Sequence, residues 1–271
     1  MRREYTENVY FIKEYWAAAY SSLVAAVSGI AYIITQFVQR ELSKRNLVIA
    51  IDGPAGSGKS TTARLVAKKM GLLHIDTGAM YRAITLKVLE RGVSPDEVDS
   101  VANLMDSTRI ELLQTNSRLQ VLLDGRDVTD RIRHADVTRA VSAVSRIRPV
   151  RESMVKQQRV LGRNQGVVLE GRDIGTVVFP EADLKIFLIA SLEARARRRK
   201  RELEATGTEV DIDTLKREIA ERDRLDSTRE VSPLEPAPDA IELDTSNLTI
   251  EDQVAFVVKK ANEILEKPSR K

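Results

Sequence analysis

The run Gly53-Pro54-Ala55-Gly56-Ser57-Gly58-Lys59-Ser60-Thr61 limits this chain to few folds. Before it stands Leu47-Val48-Ile49-Ala50-Ile51-Asp52, apolar and β-branched, short enough to be a fully buried strand. After it, Thr62 to Met70 follows with helical spacing. Strand, glycine-rich turn and helix in that order are the context a phosphate cradle needs. Glycines at 53, 56 and 58 let the backbone approach an anion, so that successive N–H groups and the positive end of the helix face its oxygens. Lys59 would then reach β and γ phosphates, and Ser60 would offer a hydroxyl to Mg²⁺. The segment therefore predicts binding of ATP or GTP.

Charge does not point to a nucleic-acid partner. The 271 residues carry 43 Lys plus Arg against 40 Asp plus Glu. Residues 1–45 hold six basic and four acidic side chains, which leaves 37 against 36 in the remainder. A general nucleic-acid surface is thus unsupported despite an isoelectric point near 9.0. Cysteine is absent, which excludes disulfides and thiolate metal sites and is compatible with a reducing cytoplasm. The two histidines, His74 and His134, are scattered and read as surface or satisfied core residues.

Composition changes near residue 46. Eight of the twelve aromatic residues, including the single Trp, lie in the first 45 positions. Tyr15 to Gln39 contains no charge, and 25 residues in a helix would extend about 38 Å, enough to cross a hydrocarbon core. Ala18, Ser22, Ala25 and Gly29 form a small-residue seam along that helix. Three readings stay open for residues 1–45: a membrane anchor or interfacial helix, a helix for helix–helix contact through residues 15–39, and an artefact of start-codon choice. If the segment spans a membrane, the nucleotide requirement places the remainder of the chain in the cytoplasm.

Further along, Leu72 to Ile75 is apolar and ends in Asp76-Thr77-Gly78-Ala79-Met80-Tyr81-Arg82, which turns into a second helix. In an open α/β sheet this places Thr77 and Arg82 at the ligand-binding edge, suited to a second phosphate. Gly166 to Leu169 delivers Glu170-Gly171-Arg172-Asp173 to the same edge, a carboxylate for a Mg²⁺-bound water and an arginine for a phosphate. Residues 108–133 alternate and turn like a small antiparallel sheet, with strands at Thr108–Leu113 and Leu119–Leu123 and a turn at Thr115-Asn116-Ser117. Val137 to Leu161 reads as a helical stretch. Ser191 caps a run of arginines in which Arg195, Arg198 and Arg199 share a face, either a solvated basic surface or mobile cations over a transferred phosphoryl group. Gly207 would let that segment turn, and Glu251 to Glu266 reads as a core-packing helix.

Four motifs, IDGPAGSGKST, DTGAMYRA, EGRDIGTVVFPEADLKIFL and ERDRLDSTREVSPL, occur in order between about Leu47 and Ile264. Together they resemble bacterial cytidylate kinases, which move the ATP γ-phosphate to CMP and dCMP. The resemblance implies an α/β fold: a P-loop NTPase-type, doubly wound parallel sheet with a nucleoside monophosphate (NMP)-binding insert containing the small antiparallel sheet, and a helical lid. Its expected bounds are about 77–155 for the insert and 191–210 for the lid within a domain at 46–271, with the hydrophobic N-terminal helix as an extra. It implies ATP bound by Gly53, Pro54, Ala55, Gly56, Ser57, Gly58, Lys59, Ser60 and Thr61, with Mg²⁺ at Ser60 and Glu170. Thr77, Arg82 and Arg172 would grip the CMP phosphate, while Ser142, Arg151 and Asp173 would read cytosine. Arg222 and Asp226 would face the ribose and Arg229 would close the site; Lys59, Arg172, Arg195 and Arg198 would be catalytic. Many members carry Asp where this chain has Glu170. Another small-substrate P-loop kinase and a membrane-tethered nucleotide switch are the alternative readings.

Overall fold

The computed structural model describes residues 46–114, 119–163, 165–205 and 207–266. The reading of residues 1–45, the turn at 115–117 and the tail after 266 lie outside these. Five strands form one parallel sheet: β1 (Val48–Asp52), β2 (Leu73–Asp76), β6 (Val167–Gly171), β7 (Leu184–Ile189) and β8 (Ile241–Asp244), in the order β2-β6-β1-β7-β8. A second sheet holds β3 (Ile110–Gln114), β4 (Leu119–Leu123) and β5 (Arg126–Asp127), antiparallel with Ile110 opposite Leu123. Among the described residues the helices are α1 (Lys59–Met70), α2 (Thr77–Glu90), α3 (Val98–Asp106), α4 (Ala135–Val144), α5 (Arg148–Leu161), α6 (Leu192–Glu204), α7 (Ile212–Thr228) and α8 (Ile250–Leu265).

The parallel strands are apolar throughout because both faces are covered. Side chains alternate, so Ile49 and Ile51 of β1, with Val168 of β6, enter one core with Val66 of α1 and Val257 of α8. Ala50, Val167 and Leu169 enter the other, with Ile84 of α2, Val141 of α4 and Met154 of α5. This is the doubly wound arrangement. All five strands run the same way, so their carboxyl ends share one edge, where ligands bind in such sheets.

Two local readings need correction. Val137–Leu161 is not one helical stretch: α4 ends at Val144 and α5 begins at Arg148, with Pro149 in its first turn, where a missing N–H is harmless. The first strand of the small sheet begins at Ile110 rather than Thr108, because Thr108 caps back on α3 through its hydroxyl to Leu104 O at 2.5 Å. The Ser191 cap forms as read, accepting Ala194 N–H at 3.2 Å, and Gly207 adopts φ +77° beyond α6. Helix α6 packs on α7 through Ala196, Leu215 and Ile219. The helix read at Glu251–Glu266 forms over Ile250–Leu265, with Thr249 and Asp252 forming a capping box. Among the described residues no helix is long and apolar enough to cross a membrane.

Candidate active site

The glycine-rich turn leaves β1 at Gly53, whose φ is +144° and whose hypothetical Cβ would sit 2.2 Å from Leu188 O of β7. Only glycine fits there. The turn closes on α1, whose N-cap Gly58 supplies no side-chain cap, so the first N–H groups of the helix stay open to an anion. Lys59 is buried and donates from Nζ to Pro54 O at 2.6 Å. Burial and the nearby Arg172 guanidinium push its ammonium well below the ordinary lysine range. Asp52, the last residue of β1, is also buried and accepts the N–H groups of Ile174 and Gly175 at 2.9 and 2.8 Å. Burial outweighs those bonds and raises its carboxyl from 3.8 to about 6.

Behind the turn, Ser60 Oγ donates to Glu170 Oε2 at 2.5 Å, and Glu170 Oε1 lies 3.2 Å from His74 Nε2. Two oxygen donors thus sit side by side at the first turn of α1, a fit to a hard cation such as Mg²⁺. Among the described residues no group of three or more His, Cys, Asp or Glu side chains is placed to hold a metal ion.

A second cluster lies across the edge, on α2, α5, the β6 end and α7. Arg151, 2% exposed, pairs with Asp173 through Nη2, donates from Nη1 to Ser145 O at 3.2 Å, and lies 5.3 Å from the centre of the Tyr81 ring. Ser142 joins through its carbonyl, which accepts from Ser145 Oγ at 3.2 Å. Arg172 Nε donates to Asp226 Oδ2 at 2.8 Å. Burial raises the Asp226 carboxyl, but Arg172, Arg222 and Arg229 outweigh it and hold it below the ordinary range. Arg229 donates to Ser232 O and approaches Asp173 at 3.9 Å. Arg82 reaches Asp76 at 3.5 Å, and its Nε, like that of Arg222, is buried without a partner. Burial, then Arg172, lowers the Arg222 guanidinium to about 10. Arg82, Arg172 and Arg222 are half-buried and crowded, a charge arrangement suited to an anion. Thr77 Oγ1 donates to Glu170 O at 2.6 Å, tying the start of α2 to β6.

The arginines of α6 divide. Arg195 Nη1 donates to Ala55 O at 3.2 Å and Asp223 Oδ2 at 2.5 Å, and Arg198 Nη1 donates to Gly56 O at 3.3 Å. Arg199, grouped with them by spacing, instead pairs with Glu202 at 3.1 Å. Arg197 and Lys200 likewise pair outward with Glu193 and Glu204, so the outer part of the run is the solvated surface it resembled.

Several residues around the site escaped the sequence reading. Thr245, fully buried after β8, donates to Ser57 O at 2.9 Å and accepts from Arg198 Nη1 at 3.2 Å. Gln253 of α8 accepts from Thr62 Oγ1 at 2.8 Å. Neither belongs to a local pattern, since Thr245 lies 188 residues from Ser57 and Gln253 lies 191 from Thr62. Asp52 did carry a signal, a carboxylate ending an apolar strand.

A family model described as cytidylate kinase matches residues 49–263. A cytidylate kinase from Geobacillus sp. (strain WCH70) is 50% identical over 220 residues, covering 81% of this chain and 98% of that protein. The Bacillus subtilis (strain 168) cytidylate kinase is 49% identical over 227 residues, 84% of this chain and 100% of that protein. That of Caldicellulosiruptor saccharolyticus is 50% identical over 215 residues, 79% and 95% respectively. The family match across residues 49–263, with relatives about half identical over nearly their whole length, makes this chain a member of the cytidylate kinase family.

Proposed function

We propose that the chain transfers the γ-phosphoryl group of ATP to CMP or dCMP, giving ADP and CDP or dCDP. One observation carries the reading: Glu170, beside Ser60 and the glycine-rich loop, and Arg172 and Asp173, within the second cluster, leave the same strand end. Donor and acceptor would meet across the four residues 170–173. The residues from Gly53 to Thr61 hold the triphosphate through backbone N–H groups and Lys59. Mg²⁺, held at Ser60 and Glu170, would neutralise charge shared by the β and γ phosphates. Arg82 and Arg172, with Thr77 beside them, hold the acceptor phosphate. Arg195 and Arg198 exchange their carbonyl partners at Ala55 and Gly56 for the transferred group. Arg222 and Asp226 face the ribose, and Arg229 closes over it. No covalent intermediate is needed: two anions are aligned, neutralised and kept from water.

Base choice follows from donor and acceptor patterns. Cytosine offers an exocyclic amine and a ring-nitrogen acceptor, which match the Asp173 carboxylate and the Arg151 guanidinium, with Ser142 nearby. Uracil presents the reverse and leaves both buried charges mismatched. Residues about 77–155 form the acceptor insert and 191–210 the core of the lid in this reading, and nucleic acid has no part in it. ADP release from ATP with CMP, dCMP, UMP or AMP tests it. CMP and dCMP are the expected acceptors, and equal turnover with UMP or AMP would overturn the assignment in favour of a broader small-substrate kinase.

A further inference from the structure

Glu170 is held at both oxygens by different elements: Ser60 of α1 donates to Oε2 at 2.5 Å, and His74 of β2 meets Oε1 at 3.2 Å. Strands β2 and β6 are neighbours, with His74 opposite Val168 and Asp76 opposite Glu170, so the imidazole reaches the carboxylate along the strand pair. Both side chains are buried, at 5% and 3% exposure. The other ring nitrogen, Nδ1, is buried without a partner. That asymmetry selects the tautomer. Hydrogen on Nε2 gives the carboxylate a donor and leaves Nδ1 as a lone pair, whereas hydrogen on Nδ1 would bury an unpaired N–H and set Nε2 and Oε1 lone pairs against each other.

We propose that His74 is a positioning residue for the cation site, holding Glu170 beside Ser60. This rests on the reading that Ser60 and Glu170 receive Mg²⁺. Glutamate has one more rotatable bond than the aspartate expected here from the family resemblance, and ordering it costs side-chain entropy. A second anchor removes that freedom. The His74 imidazole does so from the neighbouring strand.

Two measurements on the full chain test this. Nitrogen-15 NMR of histidine-labelled protein, simplified by His134→Gln, is expected to show His74 with hydrogen on Nε2, and to lose that state in Glu170→Ala. An Nδ1–H form would overturn the proposal. The second compares His74→Leu, which keeps bulk, with His74→Gln, which restores an N–H donor of similar reach. The readouts are the gain in affinity for a fluorescent ADP analogue on adding Mg²⁺, and the Mg²⁺ concentration for half-maximal CMP phosphorylation. Leucine is expected to weaken the Mg²⁺ effect about tenfold, as loss of a ligand-orienting partner does, with glutamine close to wild type and the KM for CMP unchanged. Leucine and glutamine both matching wild type would reduce His74 to a space-filler and overturn the proposal. Should wild type fail to phosphorylate CMP, the function reading falls, while NMR and the ADP titration still judge His74.

Discussion

Lys59 and Arg151 are both buried cations, yet they answer to different partners. Lys59 donates to a carbonyl of its own loop, so its removal leaves no carboxylate stranded. Lys59→Ala should fold normally and lose phosphoryl transfer by more than about a hundredfold, measured as ADP release with CMP. Retention of near wild-type turnover would contradict the mechanism. Arg151 instead neutralises Asp173. Arg151→Ala strands a buried carboxylate, so it should lower stability by about 3–5 kcal/mol and reduce the CMP over UMP preference in kcat/KM at least about tenfold. ATP affinity should change little. Unaltered CMP/UMP selectivity in the purified, folded variant would remove Arg151 from base reading. Lys59 was legible because it sits in a contiguous motif, whereas Arg151 lies outside the four motifs and its proposed role came only from the family resemblance. His74 was not legible, since a lone histidine on an apolar strand looks the same whether it faces a carboxylate or a leucine.

At the level of elements, the phosphate loop is braced by segments far along the chain. Gly53 abuts Leu188 O of β7, and Thr245 beyond β8 and Gln253 of α8 bond to Ser57 and Thr62. Gly53→Ala combines an unfavourable backbone with a collision against a strand carbonyl, and should destabilise by more than about 3 kcal/mol, read by denaturant unfolding. A loss below 1 kcal/mol would mean the loop is free to shift. Strands β1 and β6 were legible because burial on both faces leaves an uninterrupted apolar run. The exposed end of α6 was less so. Periodicity put Arg195, Arg198 and Arg199 together, but only packing of α6 on α7 decides which reach the loop carbonyls and which meet neighbouring glutamates. The break at Ser145 to Ile147 also hid inside a helical pattern, although Pro149 marked it.

Across the whole molecule, buried carboxyls set opposing pH dependences. Asp52 titrates near 6 in the folded chain against 3.8 ordinarily, so the native state keeps a proton that the unfolded chain has lost between these values. Stability from this group is therefore full below about pH 4 and declines by roughly 3 kcal/mol as pH rises through 6. Asp226 acts oppositely: its lowered value gives stability above the ordinary carboxylate range that is lost on acidification. Urea unfolding of wild type and Asp52→Asn from pH 4 to 7 should show wild type losing ground to the variant as pH rises. A pH-independent difference would contradict the raised value. The short stretch at the end of β6 has a consequence at the same scale. Glu170 and Arg172 stand at one buried strand end with a single residue between them, so in the proposed reaction the donor and acceptor sites would share one rigid support.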